Sequence, residues 1–131
     1  MNYKTYDHAK TKLTYHLIFS TKYRRKCLNA IHDSVIEAFR YVESKSKFSI
    51  KTMELDKDHI HLMVEFGPSL SISSIVNRLK SMTTKYLYDD CGDYLKKFYW
   101  NKDILWTHGY FCSSIGEVSE ETLRRYIENQ G

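Results

Sequence analysis

Polar and apolar side chains alternate most regularly along residues 58–66. Successive side chains of a strand point to opposite faces of its sheet. One face would hold the apolar residues Ile60, Leu62, Val64 and Phe66. The other would hold His59, His61, Met63 and Glu65. The pattern predicts a strand over Asp58–Phe66 that packs one face on the core and presents two imidazoles on the other.

Three further segments are also typical of strands. Leu13–Thr21 is rich in β-branched and aromatic residues. Lys47–Asp56 alternates again and leads through a tight connection into the histidine strand. Ile104–Ser114 predicts a fourth strand, interrupted near Gly109.

Segments with the apolar spacing of helices lie between these strands. Apolar residues three and four apart predict a helix from about Asn29 to Lys45. Ser71 is a favourable N-cap for a second helix, whose apolar stripe runs from Ile72 to Leu87. Residues 89–102 are polar and predict an irregular segment. Ser119 predicts the cap of a last helix, with two glutamates in its first turn.

The predicted order is β-α-β-β-α-β-α, within a length typical of one domain, residues 1–131. Two β-α-β connections around a central hairpin give an α+β, ferredoxin-like (RRM-like) antiparallel sheet with helices on one face. The other face of the sheet is then available to carry function.

Charge is unevenly distributed. The chain carries a formal net charge of +4, yet residues 1–26 contain seven Lys or Arg and a single acidic residue. Such a basic end favours a polyanionic partner, with nucleic acid first and an anionic membrane second. A solvated charged surface is the alternative.

Cysteine usage and hydropathy indicate the compartment. Cys27, Cys91 and Cys112 are odd in number and have no CxxC spacing, which indicates small buried thiols in a reducing cytosol. No apolar run approaches the roughly 18 residues of a membrane span, and the N-terminus lacks the apolar centre of a signal peptide. We therefore expect a cytoplasmic protein with no membrane partner.

The two histidines are the first candidates for chemistry. Imidazoles two residues apart on a strand can bind one ion, and two such ligands leave positions for water or a phosphate oxygen. A site that also takes oxygen ligands suits Mg²⁺ or Mn²⁺. Two solvated histidines on an exposed sheet face are the alternative for His59 and His61.

The C-terminal helix supplies a second pair. Tyr126 and Gln130 are four residues apart and therefore lie on one helical face. A tyrosine hydroxyl is a nucleophile when a metal polarises the group that it attacks, and a glutamine oxygen can complete a His-His-Gln ligand set. A tyrosine that merely packs its ring is the alternative.

These pieces together resemble a known family, the single-tyrosine HUH transposases of the smallest insertion sequences (TnpA-type). The resemblance runs from about residue 13 to residue 130. It rests on five blocks, which are Phe19–Arg24, Asp58–Leu62, Leu79–Thr84, Leu105–Gly116 and Tyr126–Gln130.

The resemblance implies a metal-dependent DNA transposase. His59 and His61 would bind Mg²⁺ or Mn²⁺, with Gln130 as a third ligand. Tyr126 would attack a phosphodiester of single-stranded DNA, forming a 5′-phosphotyrosine and a free 3′-OH. Members of the family are homodimers in which the tyrosine of one subunit can serve the histidines of the other, with Gly116 as a hinge. They recognise DNA hairpins at the ends of the element, which implies a nucleoid-associated bacterial or archaeal protein.

Charge and placement suggest which residues contact the DNA backbone, with one tyrosine available for stacking. These candidates are Lys22, Tyr23, Arg24, Arg25, Lys26, Arg78 and Lys85. Two other functions remain open. One is a non-catalytic nucleic-acid-binding module that stacks bases on sheet aromatics, and the other is a domesticated relative that cuts host repeats.

Overall fold

The computed structural model describes residues 12–115 and 125–128. Within them four strands form one sheet in the order β2-β3-β1-β4, with every neighbouring pair antiparallel. The strands are β1 (Leu13–Ser20), β2 (Phe48–Leu55), β3 (His59–Phe66) and β4 (Phe111–Ser114). This order, with helices following β1 and β3, confirms the predicted ferredoxin-like α+β fold.

Two helices, α1 (His32–Ser44) and α2 (Ile72–Leu95), bury their apolar stripes together with one face of the sheet. On the central strands this face carries Leu17 opposite Leu62 and Phe19 opposite Ile60, all of them fully buried. Burying an aliphatic or aromatic side chain of this size contributes about 1.5–3 kcal/mol. The core therefore fixes which face of β3 is left for the histidines, as the alternation predicted.

Both helices differ from the predicted bounds. A 3-10 turn over Asn29–Ile31 precedes α1, so the regular helix begins at His32. Helix α2 continues to Leu95, so the prediction of an irregular segment was wrong for residues 89–95. Leu87 and Leu95 are both fully buried and lie eight residues apart, which keeps one apolar stripe in contact with the core. Cys91 departs from helical geometry within this last part.

The fourth strand is shorter than predicted, because residues 104–110 are not part of it. Trp106 forms only a single bridge, to Thr21, and its indole N–H donates to Thr83 Oγ1 at 3.0 Å. The Lys80 ammonium donates to the carbonyls of Thr107, His108 and Gly109 at 2.8, 3.1 and 2.9 Å. These carbonyls therefore bind a cation from α2 instead of a neighbouring strand.

The predicted last helix is described only in part. Residues 125–128 are helical. Three predictions lie outside the described residues. They are the helix cap at Ser119, the hinge at Gly116 and the metal ligand Gln130. Among the helices of residues 12–115 and 125–128, none combines the length and the apolar character needed to cross a membrane.

Candidate active site

The sheet face opposite the helices carries the candidate site. Directly paired residues of antiparallel strands point to the same side of the sheet. His61 on β3 pairs with Ile18 on β1, and Ile18 pairs with Phe111 on β4. These three side chains form one row across the sheet. His59 stands two residues before His61 and pairs with Ser20.

His59 is held by the residue that precedes it. Its Nδ1 donates to Asp58 Oδ1 at 2.9 Å, which leaves the lone pair on Nε2. Burial alone would raise the pKa of Asp58, but hydrogen bonds from His59 and Arg24 outweigh it and lower that pKa. A carboxylate that fixes the tautomer of an imidazole in this way is a common partner of a metal-binding histidine.

Arg24 joins this carboxylate to residues 125–128, here called the tyrosine segment because they include Tyr126. Its Nε and Nη2 donate to the two oxygens of Asp58 at 3.1 and 3.3 Å. Its Nη1 donates to the backbone carbonyls of Ile127 and Glu128 at 2.5 and 3.4 Å. Such charge-assisted bonds are stronger than neutral ones. One guanidinium therefore connects the start of β3 with residues 125–128.

The loop that carries Arg24 has an uncommon backbone. Tyr23 and Arg24 both adopt positive φ, 59° and 52°. For residues other than glycine this region costs about 1–2 kcal/mol each. The turn is held by a hydrogen bond from the Arg24 amide to the Thr21 carbonyl at 2.9 Å. The unfavourable turn brings the Arg24 side chain to Asp58.

Tyr126 lies over the same face of the sheet. Its ring packs on Phe111, with the centroids 4.6 Å apart and the planes at 46°. Phe111 belongs to the row that also contains Ile18 and His61. The structure therefore brings the predicted nucleophile and the predicted metal-binding strand to one side of the sheet, in a single chain.

His61 has a partner that the sequence analysis missed. Its Nε2 lies 3.0 Å from Nδ1 of His16, and the two ring centroids are 5.1 Å apart. Burial lowers the pKa of His61, and the neighbouring His16 lowers it further. A neutral imidazole, the form that binds metals, is favoured as a result. Side chains alternate along β1, so His16 points away from the core that buries Leu17. The pairing of β1 with β3 then brings His16 close to His61.

The donor set suits a divalent ion. Two imidazoles with nitrogen lone pairs give half of a ligand set and leave positions for oxygen ligands. Within residues 12–115 and 125–128, no three His, Cys, Asp or Glu side chains stand close enough together to enclose an ion. A complete set therefore needs a different donor type or a residue beyond these ranges, and Gln130 is such a predicted donor.

The predicted DNA contacts fall on two surfaces. The first, here called the loop patch, surrounds the exposed ring of Tyr23, with Lys22 Nζ at 5.6 Å and the Arg25 guanidinium carbon at 5.7 Å from its centroid. Lys26 is exposed beside it. The patch includes Trp100, which is 70% exposed, lies 6.0 Å from Tyr23 and was absent from the sequence-based candidates.

The second surface is on α2, on the helical side of the sheet. Arg78 donates from Nε to Ser46 Oγ and from Nη2 to the Lys45 carbonyl, both at 2.6 Å. Lys85 pairs with Asp89 at 3.3 Å. Arg78 thus serves the junction between α1 and β2, while Lys22, Arg25 and Lys26 flank Arg24, which contacts Asp58 beside His59.

Comparisons with known proteins agree on one family. Residues 9–130 match the family described as "Transposase IS200 like". The chain is 30% identical over 128 residues to the transposase for insertion sequence element IS200 of Salmonella typhimurium, covering 97% of this chain and 82% of that protein. It is 28% identical over 120 residues to the ISDra2 transposase TnpA of Deinococcus radiodurans, covering 91% and 84%.

Solved structures show the same fold. A crystal structure of a Deinococcus radiodurans R1 protein assigned as a transposase superposes with a TM-score of 0.83, at 28% identity over 93% of both chains. The structure of a REP-associated tyrosine transposase bound to a REP hairpin has a TM-score of 0.58 at 15% identity, covering 98% of this chain and 67% of that one. The second likeness concerns the fold alone.

Proposed function

Because the chain belongs to the IS200-like transposase family, we propose that it cleaves and rejoins single-stranded DNA at the ends of an insertion sequence, using Tyr126 as the nucleophile. Membership rests on a match over residues 9–130. The covalent mechanism and its residues are our proposal.

One observation carries the assignment of the nucleophile. Tyr126 packs on Phe111, which stands in the same row of the sheet as His61. Residues 125–128 are also joined through Arg24 to Asp58, the hydrogen-bond partner of His59. A tyrosine that served only the core would face the helices. This one lies on the opposite face, which also carries the two imidazoles. We propose that the scissile phosphate binds on this face between Tyr126 and the imidazoles.

The proposed reaction exchanges one phosphodiester for another. The Tyr126 hydroxyl loses its proton and its oxygen attacks the phosphorus. The bond from phosphorus to the 3′ oxygen breaks, and that oxygen takes up a proton as the free 3′-OH. The 5′-phosphate remains on Tyr126. Attack by the 3′-OH of another strand reverses these steps, so rejoining needs no ATP.

His59, His61 and Gln130 would hold the divalent ion, Mg²⁺ or Mn²⁺. Such an ion, when bound, polarises the scissile phosphate and offsets charge on the leaving oxygen. Asp58 keeps the His59 proton on Nδ1. The lowered pKa of His61 keeps that ring neutral.

For the substrate we propose a DNA hairpin, bound by a homodimer. The REP-associated transposase of the same fold binds a REP hairpin. In this chain the loop patch offers basic side chains around exposed aromatic rings, in the loop whose Arg24 contacts Asp58. Lysine and arginine would contact phosphates, while Tyr23 and Trp100 would stack on unpaired bases.

The test uses a labelled single-stranded oligonucleotide that contains a hairpin, incubated with Mn²⁺ and resolved under denaturing conditions. We expect a covalent protein–DNA adduct with the wild type, none with Tyr126→Phe, and an unchanged adduct with the control Tyr41→Phe. Tyr41 is 43% exposed and lies on α1, on the other side of the sheet.

Two results would contradict the proposal. An adduct formed by Tyr126→Phe would exclude Tyr126 as the nucleophile. Hairpin binding by the wild type with no adduct at any Mn²⁺ concentration, and no effect of EDTA, would instead indicate a non-catalytic binding module.

A further inference from the structure

We propose that His16 is a positioning residue of the metal site, accepting a hydrogen bond from Nε2–H of His61 and so leaving Nδ1 of His61 to bind the ion. This inference rests on the proposed metal-binding role of His59 and His61. It assigns a function to a side chain on β1 that lies 45 residues away from His61 in sequence.

The contact itself is specific. Nδ1 of His16 and Nε2 of His61 are 3.0 Å apart, a normal hydrogen-bond distance for two nitrogens. One ring must donate and the other must accept, because two protonated nitrogens would repel each other. His16 is half-buried on the histidine face of the sheet, which restricts competition from water.

Strand register decides which way the His61 ring points. His59 pairs with Ser20, His61 with Ile18, and Met63 with His16. His16 therefore stands one row beyond His61, on the side away from His59. With Nε2 directed at His16, the other ring nitrogen is directed toward the opposite side, where His59 lies. An ion shared by the two histidines would then meet Nδ1 of His61.

The two ligands are supported in a parallel manner. His59 donates its Nδ1 proton to Asp58 and offers Nε2. His61 donates its Nε2 proton to His16 and offers Nδ1. A metal-binding histidine usually gives its other N–H to a nearby acceptor, which fixes both tautomer and ring orientation. Asp58 fills this role for one imidazole. For the other, His16 lies at hydrogen-bond distance from Nε2, and Glu54, which pairs with His61 on β2, adds a negative charge nearby.

The arrangement also agrees with the absence of a three-residue cluster among the described residues. His16 contacts His61 but does not form, together with His61 and His59, a set that encloses an ion. We assign His16 to the support of His61, because its Nδ1 faces Nε2 of His61 at 3.0 Å.

The first measurement needs no variant of His16. Long-range proton–nitrogen correlation spectra of the imidazoles in the metal-free wild type report which nitrogen of each ring carries the proton. We expect His61 protonated on Nε2 and His59 on Nδ1, with the signals assigned from the variants His59→Gln and His61→Gln. A proton on Nδ1 of His61 would overturn the inference.

The second measurement is Mn²⁺ affinity by titration calorimetry. We expect His16→Ala to weaken binding about 10- to 100-fold, the usual effect of removing such a partner. His16→Asn retains an acceptor near the position of Nδ1, so most of the affinity should return. His32→Ala is the matched control, since His32 is an exposed histidine on α1 that pairs only locally, with Asp33 at 3.0 Å.

The outcomes separate this inference from the proposed function. Equal Mn²⁺ affinity for wild type and His16→Ala, with binding abolished by His59→Ala, would overturn the role of His16 and leave the metal site intact. Failure of the wild type to bind Mn²⁺ would overturn the metal site itself. Thermal melts of each variant establish folding, and the tautomer measurement stands even where His16→Ala does not fold.

Discussion

Asp58 shows how much a single side chain contributes to this site. It is only 6% exposed and accepts hydrogen bonds from both His59 and Arg24. One carboxylate thus fixes an imidazole tautomer and holds a guanidinium that reaches the tyrosine segment. Replacing it would disturb the proposed metal ligand and the proposed nucleophile together.

Cys27 anchors the loop that carries Arg24. Its side chain is fully buried, and burial raises the pKa of the thiol from 9.0 to about 11. At a pH between 9.0 and about 11, the thiol of the unfolded chain releases its proton while the thiol of the native protein retains it. Native stability therefore falls as the pH rises through this window, since the unfolded state gains the ionised form.

We predict that the wild type loses on the order of 2 kcal/mol of stability between pH 9 and pH 11 relative to Cys27→Ala, at about 1.4 kcal/mol per pKa unit over most of this window. Urea denaturation of both proteins across this range measures the difference. Comparing slopes with pH removes the constant cost of the cavity that alanine leaves. Parallel pH profiles would show that the thiol does not titrate differently in the two states.

The site residues differ in how far their positions were predictable. Alternation alone placed His59 and His61 on one face, because a two-residue period is local. His16 needed the register between β1 and β3, which depends on pairing across 45 residues. Arg24 was predicted as a phosphate contact from its charge. No local pattern indicates that a positive-φ turn directs it to Asp58.

Among the secondary-structure elements, the segment before β4 was the hardest to predict. Residues 104–110 have the composition of a strand, yet three of their carbonyls bind the Lys80 ammonium. Burial lowers the pKa of Lys80, and its ammonium lies 5.5 Å from the ring centroids of both Phe19 and Tyr110. A tertiary contact from α2 outweighs local strand preference here.

We predict that Lys80→Met lowers the free energy of unfolding by about 1–3 kcal/mol, because it removes the ammonium that donates to three backbone carbonyls. Methionine keeps most of the apolar stem. Lys85→Met on the same helix is the control, since its side chain is 80% exposed and should change stability by less than about 0.5 kcal/mol. Denaturant titrations compare the two, and an equal effect would contradict the role given to Lys80.

Arg24 links two elements, β3 and the tyrosine segment, so its loss should affect chemistry more than binding. We predict that Arg24→Lys lowers the rate of adduct formation at saturating hairpin DNA by at least about tenfold, since lysine cannot hold Asp58 and two carbonyls in a fixed fork. Single-turnover kinetics measure this rate. An unchanged rate with weakened DNA affinity would return Arg24 to the role of a phosphate contact.

At the scale of the molecule, the described residues place the core and the proposed site on opposite faces of the sheet. Helices α1 and α2 cover one face and supply the core, while the histidines and Tyr126 lie on the other. The loop patch follows the end of β1, next to Asp58. Among the basic residues of the first 26 positions, Lys22, Arg25 and Lys26 belong to the proposed DNA-binding surface. The overall excess of positive charge indicated the partner, and the fold brings part of it close to the imidazoles.

The loop patch allows a matched test of DNA binding. We predict that Arg25→Ala weakens hairpin affinity. The negative slope of log affinity against log salt concentration should become shallower by about 0.7, as expected for one lost contact to single-stranded DNA. The rate of adduct formation at saturating DNA should not change. An unaltered salt slope would show that Arg25 makes no phosphate contact.

The most direct test of the central claim is the identity and polarity of the covalent bond. A hairpin oligonucleotide labelled at either its 5′ or its 3′ end is incubated with the protein and Mn²⁺, and the adduct is digested and analysed by mass spectrometry. We expect DNA to be attached through a 5′-phosphate to Tyr126, so that only the 3′ label remains with the protein. Attachment to any other residue, or retention of the 5′ label, would contradict it.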